Sequence, residues 1–171
     1  MILQGWAYVQ QGRIPEGIAQ IRRGIDDWRT VGGDLYVPYY LYLLVETSSQ
    51  EAQPRERLHV LDEALTLVEK NEERWCKAEL YRLKGELLLQ QSSDNQAEAE
   101  TCFFQALNIA RNQQAKSWEL RAATSLARLW NQQGKRQEAH DLLAPVYHWF
   151  TEGFDTADLQ EAKALLEELG G

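Results

Sequence analysis

The chain has 171 residues, enough for one compact domain, and its 44% hydrophobic content with six Trp, seven Tyr and four Phe excludes a disordered chain. A formal charge of −8, from 26 acidic against 18 basic residues, argues against a nucleic-acid or anionic-membrane partner. Leu and Ala outnumber Val and Ile, and Gly and Pro fall mostly between periodic segments, which favours helix over sheet.

In chain order, Met1 to Gln11 reads as a first helix with Ile2, Trp6 and Val9 along it, and Gly12 ends it. Pro15 suits the first turn of the next helix, where a missing N–H costs nothing, and Ile18, Ile21 and Ile25 repeat at helical spacing to Trp28, before a Gly32-Gly33 connector. Asp34 is the expected N-cap of a second hairpin, whose first helix carries Pro38 in its first turn and runs through Tyr39, Tyr40, Leu43 and Leu44. A polar turn over Thr47 to Gln53 leads to Pro54, and Leu58, Leu61, Leu65 and Val68 form an amphipathic face. The third hairpin is expected from about Glu73 to Leu89, with a break at Ser92 to Asn95 and a return from Gln96 to Arg111 that turns Ala99, Phe103, Ala106 and Ala110 inward. The fourth runs from Ser117 to Gln132, turns at Gly134 and returns through Ala139, Leu142, Leu143 and Val146, with a kink or break predicted at Pro145. Gly153 then stops the chain, Asp155 or Thr156 can cap, and Leu159, Ala162, Leu166 and Leu169 build a last helix.

Gly5, Val45, Gly85 and Ala127 hold equivalent places in these pairs, at offsets of 40, 40 and 42 residues. A repeat of that length means stacked helical hairpins. The expected fold is an all-α solenoid of about four antiparallel hairpins, near 1–31, 34–71, 73–112 and 116–151, closed by a capping helix at 156–169 in one domain.

Chemistry is sparse. Gly134-Lys135 lacks the surrounding G-x-x-x-x-G-K-S/T of a phosphate loop. Ser93-Asp94-Asn95 matches the S-D-N of penicillin-interacting enzymes, but without S-x-x-K or K-T-G it reads as a polar turn. His59, His140 and His148 have no metal-ligand spacing and no nucleophile partner, so they read as surface or packing residues. Cys76 and Cys102 stand apart and read as buried reduced thiols, which with the absence of an apolar leader or membrane-length run points to a soluble, cytoplasmic protein. No catalytic residue, metal or cofactor is expected.

The residues of interest lie on the first helix of each hairpin, the concave side of such a stack. They are Trp6 from the first, Tyr39, Tyr42 and Glu46 from the second, Glu79, Arg82 and Glu86 from the third, and Arg121, Thr124, Arg128 and Asn131 from the fourth. Aromatics stand at one end and arginines at the other, a surface suited to an extended peptide or helix. The same residues also read as an ion-pair ladder, with Glu79 opposite Arg121, Glu86 opposite Arg128, and Arg82 within reach of Glu79 and Glu86 along its own helix. Ile2, Trp6 and Val9 belong to a helix with no preceding repeat, so self-association into a homodimer through the N-terminal hairpin is expected.

The pattern resembles tetratricopeptide repeats, carried by Gly5 with Tyr8, Gly12 and Ile21; by Gly85 with Ala99, Phe103 and Ala106; and by Ala127 with Trp130, Gly134, Ala139 and Leu143. The units are longer than the usual repeat of about 34 residues, and the second departs most, with Ser48 where a large residue is usual and Arg57 where a small one is. The resemblance implies a right-handed superhelix. The stretches ERWCKAELYRLKGELLL from Glu73, SWELRAATSLARLW from Ser117 and WFTEGFDTADLQEAKALL from Trp149 further resemble the C-terminal helical tail of large bacterial signalling proteins, in which a cyclase-type or DNA-binding output domain and a regulatory ATPase module precede such repeats, as in relatives of the maltose-system activator. That resemblance implies a sensory or protein-interaction segment, with any catalysis upstream. The expected function is therefore a non-enzymatic module that binds a protein or peptide partner on its concave face. The alternatives are a regulatory segment of a larger cyclase or ATPase and a small-molecule sensor.

Overall fold

The computed structural model describes residues 1–33, 35–48, 53–72 and 74–170. Among them the chain forms α1 (Ile2–Gln10), α2 (Ile14–Thr30), α3 (Val37–Thr47), α4 (Pro54–Asn71), α5 (Lys77–Gln91), α6 (Gln96–Asn112), α7 (Lys116–Gln132), α8 (Arg136–Tyr147) and α9 (Ala157–Gly170), with one 3-10 turn at Ser93–Asn95 and no strand.

Local chemistry sets these boundaries. Pro15, Pro38 and Pro54 each occupy one of the first two positions of a helix, where no intrahelical N–H bond is lost. Gly12 and Gly134 adopt φ of +82° and +79°, conformations that a side chain would strain, and let the next amide reach back to Tyr8 and Trp130 respectively. The expected break at Ser92 to Asn95 is the 3-10 turn, held by the Ser92 hydroxyl, which accepts from the Asp94 amide.

Some expectations shift. Asp34, Glu73 and the centre of the turn at 49–52 lie outside the described residues; α3 is entered through Tyr36, in the left-handed region at φ 64°, with no side-chain cap. Helix α8 continues through Pro145 and ends at Tyr147, so the break falls two residues later than the proline. Pro145 lacks only the one N–H that would have met Asp141, an exposed residue whose carbonyl water can serve. The Thr156 hydroxyl does not cap the amides of α9; it donates back to the Gly153 carbonyl at 2.7 Å.

Helices α1, α3, α5, α7 and α9 touch in series, and each second helix, α2, α4, α6 and α8, packs against its own partner and the first helix of the next unit. Among the described residues the second helices make no comparable contact with one another. A continuous inner row backed by a spread outer row curves, with the first helices on the inside.

Hairpin closeness depends on residue size at one crossing point. A Cβ added at Gly5 would lie 2.7 Å from the Gly17 carbonyl oxygen, and one at Gly85 would lie 2.5 Å from the Phe103 ring. Forty residues beyond Gly5 and Gly17 the same places hold Val45 and Arg57. Arg57 fits because it does not stay in the crossing: its Nε donates to the Val45 carbonyl at 3.1 Å, and its guanidinium passes toward the concave side.

Candidate partner-binding groove

On the inner face lies a cavity of about 280 Å³ whose walls come from α3, α4, α5, α7 and α9. Glu46, Arg57, Arg82, Glu86, Arg121 and Arg128 contribute charges to it, and the last helix adds Asp158 and Glu161. The α-helical repeat places these side chains together: Glu79, Arg82 and Glu86 follow one another at three- and four-residue spacing along α5, as do Arg121, Thr124 and Arg128 along α7.

Glu79 is the hub. It is only 2% exposed, receives Arg82 Nε at 3.1 Å, and pairs with Arg121 Nη1 across the helices at 2.7 Å. The Tyr42 hydroxyl donates to Glu46 at 2.7 Å and lies 3.3 Å from the second Glu79 oxygen. Burial, and then the Glu79 and Glu46 carboxylates, push the Tyr42 phenol far above its ordinary range, so it stays a donor. Burial alone would weaken the charge on Arg82, but Glu79 and Glu86 outweigh it and hold the guanidinium more firmly protonated than usual. The expected Glu79–Arg121, Glu79–Arg82 and Arg82–Glu86 contacts are all present. The expected Glu86–Arg128 rung is not. Ser125 Oγ donates to Glu86 at 2.7 Å instead, and Arg128 turns to Glu161 of α9.

The other sequence-selected residues are placed as follows. Thr124 is buried and donates to the Leu120 carbonyl, and Asn131 donates to Glu168 on α9 at 2.7 Å. Tyr39 stacks on Tyr42, with ring centroids 5.8 Å apart. Trp6 is 38% exposed on α1 but does not line the cavity. Of the residues expected to make a self-contact, Ile2 is buried against Gly24 and Val9 is half-buried, which leaves Trp6 as the exposed one.

Sequence reasoning missed four features. One is Arg57, whose only signal was its unexpected bulk. A second is the pair Asp158 and Glu161, which give α9 a place in the groove besides its lid role. Gln90 and Ser125 are the third, polar residues with no distinguishing spacing. The fourth is an aromatic ladder at the entrances of three first helices: Tyr36 meets Trp75 at 6.4 Å, Trp75 meets Tyr39 at 4.9 Å and Trp118 at 6.0 Å, and Tyr39 leads down to Tyr42. Tyr36, Trp75 and Trp118 recur at 39 and 43 residues, close to the repeat length, which is the signal that could have found them. Tyr36 is 45% exposed.

Among the described residues no cluster of His, Cys, Asp or Glu can hold a metal ion, and no helix is long and apolar enough to cross a membrane. Cys76 and Cys102 are both buried, and burial pushes the Cys102 thiol up.

Stacked hairpins with a lined inner wall define a helical-repeat solenoid of the tetratricopeptide type. The chain matches the crystal structure of a Podosopora anserina kinesin light chain-like protein with nearly identical TPR-like repeats, at a TM-score of 0.71 and 16% identity, over 98% of this chain and 82% of that one. A single-residue variant of that protein matches at a TM-score of 0.69 and 17% identity, over 99% and 91% of the two chains. These likenesses establish the fold. No family model matches the chain, and no curated protein matches it either.

Proposed function

We propose that this chain is a non-enzymatic interaction module that receives a peptide or protein segment along its concave face. The observation that carries the reading is the joining of two surfaces: the aromatic ladder from Tyr36 and Trp75 runs through Tyr39 to Tyr42, where the charged cavity begins. Flat aromatic faces and guanidinium forks are the groups that hold extended polypeptide at low entropic cost. The buried hub of Glu79, Arg82 and Tyr42 is a scaffold in this reading, and contact falls to more exposed neighbours: Tyr36, Trp75, Glu46, Arg121 and Arg128. A bacterial, cytoplasmic signalling setting, with this segment relaying a binding event to a linked output domain, belongs to the same proposal and rests on the three sequence stretches that resemble such tails.

The test is a random dodecapeptide display panned on the purified chain, followed by affinity measurement on synthetic versions. Trp75→Ala, checked for native helicity by circular dichroism, is expected to weaken the selected peptides about tenfold or more, as truncation of an aromatic anchor does. Failure to select any specific peptide, or binders indifferent to Trp75 and Arg121 alike, would remove the proposal. Saturable ATP binding or turnover by this chain alone would favour an enzymatic role instead.

A further inference from the structure

The cavity contains four guanidinium groups, and three have a carboxylate within ion-pair distance. Arg82 has Glu79 and Glu86, at 3.1 and 2.8 Å. Arg121 has Glu79 and Glu46, and Arg128 has Glu161. Arg57 is the exception among the described residues. It is 4% exposed, yet its hydrogen-bond partners are neutral: the Val45 carbonyl at Nε, and Gln90 Oε1, 3.2 Å from Nη1. Its nearest acid in electrostatic terms, Glu86, is already engaged by Arg82 and Ser125. A buried cation without a counter-ion is expensive in a protein interior, and burial accordingly weakens the hold of Arg57 on its proton. The α3 C-terminus, through Val45, offsets part of that expense as a helix end does for a cation. It leaves a guanidinium edge facing the cavity.

Beside this edge a second hollow of about 130 Å³ shares Glu86, Gln90, Ser125 and Arg128 with the first, and its remaining wall is apolar, formed by Leu89, Phe103 and Leu129 with Gln132 at the border. A positive fork and an apolar hollow therefore stand side by side on one wall.

We propose that Arg57 receives a carboxylate of the docked peptide, and that the apolar side chain next to that acid enters the hollow against Leu89, Phe103 and Leu129. The proposal rests on the groove reading above and refines it to a sequence preference: an Asp or Glu adjacent to a Leu-, Ile- or Phe-type residue. A carboxylate presents two oxygens to the guanidinium fork and supplies the charge that Val45 and Gln90 do not. An acidic side chain and a free peptide C-terminus share this chemistry.

The test uses the display-selected peptides on the full chain. Each is synthesised with a C-terminal amide and with a C-terminal acid, and in a version with its acidic side chain changed to the amide, Glu→Gln or Asp→Asn. If the side chain supplies the carboxylate, that change weakens binding to the wild type about ten- to hundredfold, as expected for a charge-assisted pair, while the two C-terminal forms bind alike. If the C-terminus supplies it, the terminal acid outbinds the terminal amide by the same factor. On Arg57→Met the discrimination falls below about twofold, and Arg57→Lys, with charge but no fork, retains part of it. Equal discrimination on the wild type and Arg57→Met would show Arg57 to be only a cap for α3 and overturn the proposal. Should Arg57→Met fail to fold, Arg57→Lys and the wild-type peptide pairs still decide, because selected binders with no acid at all would overturn it directly. Such binders would leave the groove reading intact, whereas a display yielding no binder would end both.

Discussion

Replacing Glu79 with alanine is expected to destabilise the chain by about 3–5 kcal/mol, the loss seen when one partner of a buried ion pair is removed and the other is left. At this chain length that corresponds to a fall in Tm of about 6–20 °C. The reason is geometric. Glu79 is buried at the meeting of α3, α5 and α7, where it accepts from Arg82, pairs with Arg121 and stands 3.3 Å from the Tyr42 hydroxyl. Removal leaves Arg82 with Glu86 alone, and leaves Arg121 with Glu46 at 3.4 Å and Asp158 at 3.8 Å. Because the groups act as a unit, the double change Glu79→Met with Arg82→Met should cost clearly less than the sum of the single changes. Urea unfolding of Glu79→Ala, the two Met single variants and the double variant measures this; a Glu79→Ala loss under about 1 kcal/mol, or strict additivity, would mean that the hub is solvated and contributes little.

The second large effect is expected at Phe103. Its side chain is 1% exposed, its ring lies over the bare backbone of Gly85, and it forms part of the apolar hollow. Phe103→Ala should lower stability by about 3–5 kcal/mol through lost burial and the void left behind. Gly85→Ala is the opposite fault, an overpacking of about 1–3 kcal/mol, since the new methyl would press on the ring. Combined, the two should partly compensate, because the void at position 103 makes room for the methyl at position 85. Simple addition of the two losses would contradict the close crossing of α5 and α6 described above.

How much of this could be read beforehand differs by feature. The hairpins were legible because their punctuation is covalent: Pro15, Pro38 and Pro54 lack an amide proton, and Gly12 and Gly134, having no side chain, enter the left-handed region cheaply. The inward faces of α4 and α6 followed from period, with Leu61, Val68, Ala99, Phe103, Ala106 and Ala110 buried and Leu58 and Leu65 half-buried. Pairings across helices were only partly legible. Periodicity says which side of a helix a residue occupies, but not the height of the neighbour it meets. Glu79–Arg121 came out as counted, whereas Arg128 turned to Glu161 because α9 packs directly on α7. Arg57 shows a different limit. Its misfit to a small-residue position was visible, yet sequence presents such a misfit only as a packing fault. Just the folded geometry shows the side chain leaving the crossing for the cavity, where among the described residues it is the arginine with no carboxylate within ion-pair distance.

The most direct measurement of the central claim is amide hydrogen exchange of the full chain with and without a display-selected peptide at saturation. Binding on the inner wall predicts slowed exchange in α3, α5, α7 and the first turns of α9, with α2 and α8 little changed. Protection confined to those outer helices, or no protection at a concentration where binding is complete, would contradict it.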